Sequence, residues 1–218
     1  MATLLLRLQG PMQSWGIRSR FDYRDTYPYP TKSGVIGLLA AALGRDRSED
    51  VSDLTVLRMG VRVDREGILK YDYQTAKNVI TAEGKPGRDV VSRRYYLADA
   101  VFLVGLEGED RPFLEAVHKA LLNPKWPLFL GRKGYVPSPP VYLPDGLSND
   151  SLEEALGNYP FLPSLQDPKS QPKGPLLLIL EASSGRLVWD QPIAPFEQRR
   201  FGPRYIVEKR VEVNGVAQ

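Results

Sequence analysis

Val35 to Leu43 is apolar on nearly every side of the helix it would form: Val35, Ile36, Leu38, Leu39 and Ala40 to Leu43 leave no polar face. Such a helix cannot lie on a surface, so the rest of the chain must enclose it. Its ends are marked. Thr31 or Ser33 can cap the N-terminus, and Gly44 suits the C-terminal end. A chain of 218 residues is long enough to do the enclosing, burying roughly 70% of its unfolded surface in one large domain or two small ones. The hydrophobic fraction of 42% against 25% charged residues excludes wholesale disorder.

The remaining pattern alternates short apolar runs with turn signals. Thr3 to Leu8 reads as a buried strand closed by Gly10-Pro11. Leu57 to Asp64 and Ile68 to Gln74 alternate around Arg65-Glu66-Gly67 and predict a hairpin. A second, more polar hairpin is predicted from Thr75 to Thr81 and Asp89 to Tyr96, turning at Glu83 to Gly87. Val101 to Leu106 is a core strand. Pro112 to Leu122 is an amphipathic helix, with Pro112 in its first turn and Asn123-Pro124 as its stop. Ser151 and Glu154 form a capping box for a short helix. Leu176 to Glu181, Leu187 to Trp189 and Tyr205 to Val213 supply further strands. No repeat or linker divides the chain, so residues 1–218 are expected as one domain. Within it, 72–96 forms a hairpin and 123–175 a glycine-containing loop and irregular insertion. The order strand, helix, strand, strand, helix, strand matches an α+β, ferredoxin-like βαββαβ plan, shared by several RNA-binding modules.

With 29 Lys+Arg against 26 Asp+Glu, the net charge of +3 permits a nucleic-acid partner without demanding one. Three basic sets stand out. Lys32 lies at the start of the apolar helix, where backbone N–H groups could hold a phosphate, although a plain N-cap accounts for the same residues. Gly131-Arg132-Lys133-Gly134 puts two cations between two glycines, which suits either a polyanion or an exposed turn. Arg93-Arg94-Tyr95-Tyr96 alternates, so Arg93 and Tyr95 share one strand face and Arg94 and Tyr96 the other. Such a hairpin can neutralise phosphates and stack bases, or simply protect a sheet edge. Met12 to Pro30 is a long loop in which Trp15, Phe21, Tyr23, Tyr27 and Tyr29 interleave with Arg18, Arg20 and Arg24.

Catalytic chemistry has few carriers. The chain has no cysteine, which excludes disulfides, thiolate metal sites and thiol nucleophiles. Its single histidine, His118, sits on the amphipathic helix, where a structural or solvated role is the default. No acidic pattern points to a metal-dependent nuclease, so neither metal nor cofactor is expected. A metal-independent ribonuclease using Tyr, Lys and His stays open. Met1 to Arg7 lacks the basic region of a secretory leader, and Leu176 to Leu180 is far short of the roughly 20 residues of a membrane helix. A cytoplasmic protein without a membrane partner is expected.

Leu8-Gln9-Gly10-Pro11-Met12-Gln13-Ser14-Trp15-Gly16, then Arg24, then Tyr29-Pro30-Thr31-Lys32-Ser33-Gly34-Val35-Ile36-Gly37-Leu38-Leu39, resembles the repeat-associated RNA-binding protein family of CRISPR systems, in its type I-E Cascade branch. The likeness continues through Asp72-Tyr73-Gln74-Thr75, Tyr96 to Ala100, Leu130 to Lys133 and Tyr205-Ile206-Val207, and is weak from Asp145 to Pro175. The resemblance implies a ferredoxin-like (RRM-like) core with a projecting thumb hairpin. It implies grip on the 5′ handle of the CRISPR RNA inside a ribonucleoprotein with other Cascade subunits, which finds target DNA in antiviral defence. It places Gln13, Trp15, Arg24, Lys32 and Ser33 in the N-terminal motif, Arg93 and Arg94 at the thumb base, and Gly131, Arg132 and Lys133 in the glycine loop as RNA contacts. Relatives in another subtype cut repeat RNA with a Tyr/Lys/His set. Here the thumb region has no Lys-His pair, and His118-Lys119 is a reversed pair on a helix. The expected role is a non-catalytic RNA-binding subunit; the alternatives are an endoribonuclease that matures CRISPR RNA and a small-molecule-binding domain. Val79 and Ile80, beside the thumb turn, are expected as an apolar wedge against the RNA.

Overall fold

The first strand, β1 (Ala2–Gln9), is buried on both faces: Leu4, Leu6 and Leu8 join one apolar cluster and Leu5 a second. The computed structural model describes residues 1–16, 23–81, 83–85, 87–213 and 215; Arg18, Arg20 and Phe21 of the long loop lie outside them. Two short strands follow, β2 (Met12–Gln13) and β3 (Tyr23–Arg24), and then helix α1 (Lys32–Leu43). Thr31 is the N-cap, its hydroxyl accepting from the Gly34 N–H at 3.3 Å, and Gly44 ends the helix at φ 74°. Val35, Ile36, Leu38, Leu39 and Ala40 to Ala42 are all buried, as the all-round apolar sequence requires.

After the short helix α2 (Ser52–Thr55) come β4 (Arg58–Arg65), β5 (Ile68–Val79), β6 (Arg88–Ala98) and β7 (Val101–Gly108). The hairpin predicted around Arg65-Glu66-Gly67 does not form. β4 pairs with β7, and β5 pairs with β6 from Ile68↔Ala98 to Val79↔Arg88, with one register shift between Ala76 and Val79. The two form one long antiparallel ribbon that turns only near 80–87. Glu66-Gly67 and Asp99-Ala100 are the corner where it leaves one sheet and enters another. Gly67 is required there: its φ is 76°, and a Cβ would meet the Ala98 carbonyl and the Ala100 side chain. Alternation alone cannot distinguish a turn from a corner, because both interrupt it for the same few residues.

The chain continues through α3 (Arg111–Leu122), β8 (Leu147–Ser148), α4 (Leu152–Asn158), β9 (Leu176–Ala182), β10 (Arg186–Pro192) and β11 (Phe201–Val211). The predicted caps are present: Pro112 lies in the first turn of α3, and Ser151 and Glu154 close a capping box on α4. The main sheet has seven strands in the order β10-β11-β9-β4-β7-β1-β8, and β2, β3, β5 and β6 make the second. All pairings are antiparallel except that of β3 with β6. The architecture is mixed α+β with few helices. β11 inserts between β9 and β10, so the Ser183–Gly185 turn joins strands that are not neighbours. α1 and α3 cover one face of the main sheet and α4 the other. Beneath α4, the fully buried Arg62 holds Asp64 through two bonds of 2.7 and 2.8 Å and donates to the carbonyls of Leu156, Tyr159 and Pro160 where the helix ends.

Candidate nucleic-acid interface

The two sequence motifs that carry the family resemblance meet in the interior. Gln13 is fully buried; its amide donates to the carbonyls of Leu8 (3.1 Å) and Ala100 (2.8 Å), and its oxygen accepts from the Trp15 indole (3.3 Å). The Trp15 ring lies against Gly34, where a Cβ would stand 2.8 Å from the indole. Burying an indole is worth about 5 kcal/mol of apolar transfer, against the roughly 1–3 kcal/mol of stacking one base. Gln13 and Trp15 therefore join the two motifs in the core, where no face of either is left exposed.

Lys32 is also corrected. Its side chain is 1% exposed, and Nζ donates to both Glu181 oxygens at 2.9 and 3.0 Å. Burial pushes its ammonium pKa down while Glu181 pushes it up. The Lys32 backbone N–H, the donor expected for a phosphate, donates to Asp190 at 2.8 Å, and Asp190 is held by Arg204. A buried ammonium needs such a partner, because leaving it unpaired costs several kcal/mol. Ser33 is half-buried with its hydroxyl 3.5 Å from that of Thr31, within the helix cap.

Arg24, Arg94 and the Gly131–Lys133 loop come together at the base of the ribbon, whereas Arg93 lies on its other face. Ser14 N–H donates to the Leu130 carbonyl, and Leu130 N–H to the Tyr135 carbonyl, which folds Gly131 to Gly134 back onto the N-terminal motif. Gly131 has φ 86°, and a Cβ there would collide with the Ser14 carbonyl, so glycine sets how closely the two loops approach. From this loop, Arg132 donates to the Tyr135 hydroxyl (3.1 Å) and to the main-chain carbonyl of Arg24 (3.2 Å). Register places Arg24 beside Arg94 on β6. Between loop and ribbon runs a groove of about 450 Å³, whose walls include Asp72, Gln74, Arg94, Tyr96, Arg132 and Tyr135. Tyr96 and Tyr135 rings lie 5.9 Å apart across it. Arg24, Arg94 and Arg132 have no carboxylate ion pair among the described residues. Arg94 and Arg132 lie beside aromatic rings, with Asp72 opposite Arg94 in register, and such cations can bind a phosphate backbone while the rings stack a base. Lys133 is exposed on the same loop. Val79 and Ile80 lie at the far end of the ribbon, Ile80 72% exposed.

Sequence reasoning named the Arg93 and Tyr95 face of that ribbon but missed that Tyr71 and Tyr73 stand opposite them. Tyr95 stands among Tyr23 and Tyr71, with ring centroids 5.1 and 5.8 Å away, and Tyr73 faces Arg93 in register. Desolvation between the rings, and then the Tyr95 hydroxyl, raise the Tyr23 phenol above its usual pKa. The signal was in the sequence as Tyr71-Asp72-Tyr73, which alternates in phase with Arg93-Arg94-Tyr95. His118, the one candidate proton carrier among histidines, has Nε2 2.7 Å from the Leu143 carbonyl and stacks on Tyr142 at 4.5 Å. It braces α3 against the following loop. Among the described residues no cluster of acidic or histidine side chains could hold a metal ion, and no helix is long and apolar enough to cross a membrane.

The family described as CRISPR-associated protein (Cas_Cas5) matches residues 3–207. The CRISPR system Cascade subunit CasD of Escherichia coli (strain K12) is 32% identical over 172 residues, covering 72% of this chain and 76% of that protein. A solved structure described as a crystal structure of a Cas protein has 60% identity, covers 96% of this chain and 94% of its own, and superposes with a TM-score of 0.80. A chain from a CRISPR RNA-guided surveillance complex superposes at 0.78 with 32% identity, over 99% of this chain and 95% of that one.

Proposed function

This chain belongs to the Cas5 family of CRISPR-associated proteins, and from that premise we propose that it is the CasD-type subunit of a type I-E Cascade complex, where it binds the 5′ handle of the CRISPR RNA. Its partners are then that RNA, the other Cascade subunits and, through the complex, target DNA. The observation that carries the reading is the groove in which Arg94 and Arg132 converge beside Tyr96 and Tyr135, with the Arg24 backbone fastened to Arg132. Two arginines and three tyrosines line it, and Met12 and the Gly131–Gly134 loop build part of its wall. We read strands β4, β7, β1 and β8, with α1 and α3 as crossovers, as a ferredoxin-like core extended by β9, β11 and β10. The β5–β6 ribbon is the thumb. Its apolar tip, Val79 and Ile80, wedges against the RNA where handle meets guide, while Arg93 and Arg94 hold the backbone. Unstacking a step costs about a few kcal/mol in comparable cases, which phosphate contacts offset.

The role is structural and not catalytic, in the cytoplasm. His118 is engaged with Leu143 and Tyr142, away from the groove walls. Incubating the purified chain with labelled repeat RNA tests the proposal. A retarded, uncut RNA is expected. A cleavage product would replace the structural role with an endoribonuclease, and failure to bind handle RNA, alone or with partner subunits, would overturn the RNA reading altogether.

A further inference from the structure

The groove accounts for one face of the β5–β6 ribbon and also touches Tyr71. The other face carries Leu69, Tyr71, Tyr73 and Thr75 on β5 directly opposite Leu97, Tyr95, Arg93 and Val91 on β6, with Tyr23 of β3 alongside. Tyr23, Tyr71 and Tyr73 are 54%, 59% and 60% exposed. No fold requirement puts three large rings in water: the core cluster reaches only Leu97 on this face. Leu69 and Val91 are exposed on the same face, but the rings make up its centre. Tyr23, Tyr95 and Tyr71 form a row across three strands, and Tyr73 continues it along β5, about 6.8 Å from Tyr71. The eight paired positions include one cation, Arg93, and no carboxylate; the charge of Asp25 acts on the Tyr23 phenol. Lys77 and Arg88 flank the face further out along the ribbon. The same two strands carry Arg94 and Tyr96 on the groove side, so a strand leaving the groove meets this face by passing over one ribbon edge.

We propose that the Tyr23–Tyr95–Tyr71–Tyr73 face is a stacking platform for unpaired nucleobases of a single-stranded RNA. Phosphates are held on one side of the ribbon by Arg94 and Arg132, and bases rest on the rings of the other. Every base has a π-face, so the platform is tolerant of sequence. Arg93, opposite Tyr73, neutralises a phosphate beside the stacked base. The inference rests on the RNA-binding reading given above and adds to it a second surface with a different chemistry.

The test uses the full chain and two labelled probes: a 12-nucleotide oligoadenylate, and a ribose-phosphate oligomer of equal length without bases. Wild type should prefer the base-bearing strand by about fivefold or more. Tyr71→Leu with Tyr73→Leu, both exposed enough to spare the fold, should remove that preference and leave the salt dependence of binding as it was. Tyr71→Phe with Tyr73→Phe should retain the preference, because stacking needs the ring and not the hydroxyl. 2-Aminopurine placed in the strand should be quenched by wild type and not by the leucine variant. If wild type binds neither probe, the RNA-binding reading fails and the platform with it. If wild type binds, but binds both probes alike or is unaffected by the leucine changes, only the platform is overturned. Protection of these tyrosines by partner subunits with unaltered RNA affinity would likewise overturn it and make the face a protein contact.

Discussion

Arg132 Nη2 donates to the backbone carbonyl of Arg24 at 3.2 Å, so a cation of the glycine loop fastens the strand that borders the thumb. One residue thus both shapes the groove and charges it. Arg132→Ala with Lys133→Ala is expected to weaken handle binding and to flatten its salt dependence by about 0.7 log units per log salt for each lost phosphate contact. A lysine at 132 should restore charge without the forked geometry, and so recover slope more than affinity. Titration at several salt concentrations reads both quantities.

Gly131→Ala separates loop position from charge. The residue sits at φ 86°, and its new methyl would strike the Ser14 carbonyl. The loop must move away from β2, with both cations retained. RNA affinity should fall while far-ultraviolet circular dichroism and cooperative unfolding stay close to wild type.

Lys32→Met addresses the interior network. Removing the ammonium leaves Glu181 without its closest partner and unbalances Asp190 and Arg204. A loss of about 3 kcal/mol is expected, roughly 10 °C in Tm for a chain of this size. RNA affinity of the folded fraction should not change. Lost affinity at unchanged Tm would return Lys32 to the RNA site.

Replacing Lys77 to Arg88 by a short Gly-Ser turn removes the wedge and keeps the corner of the ribbon. Tm should stay within a few degrees of wild type, because Val79 and Ile80 are exposed and no cluster of the core includes them. RNA retention or target DNA binding by the assembled complex should fall. Normal DNA binding would reduce the ribbon tip to an edge-protecting decoration.

His118→Ala loses one bond to Leu143 and the contact with Tyr142. About 1 kcal/mol of stability is the expected effect. The length distribution of RNA in the complex should be unaltered, as read on a denaturing gel.

The α1 helix, its caps, the α4 capping box and the two-faced alternation at Arg93 to Tyr96 were all legible in the sequence, because each depends on residues within one or two turns of chain. Long-range pairing was not. Arg65-Glu66-Gly67 looks like a hairpin turn, and only the pairing of β4 with β7 makes it a corner. The same limit governed the site. Gln13, Trp15 and Lys32 are polar or aromatic residues in a motif, and the motif alone cannot say whether such residues face RNA or the core. Gly34 decided it for Trp15 and Glu181 for Lys32, from 19 and 149 positions away. Arg24, Arg94 and Arg132, by contrast, were found as separate sets whose convergence only the fold displays.

Ultraviolet crosslinking of the assembled ribonucleoprotein, followed by mass spectrometry of the RNA-bearing peptides, tests the central claim most directly. The account predicts crosslinks from peptides spanning Tyr71 to Tyr96 and Gly131 to Tyr135 to nucleotides of the 5′ handle. Crosslinks from those peptides to the 3′ end alone, or none from them while other subunits crosslink normally, would contradict it.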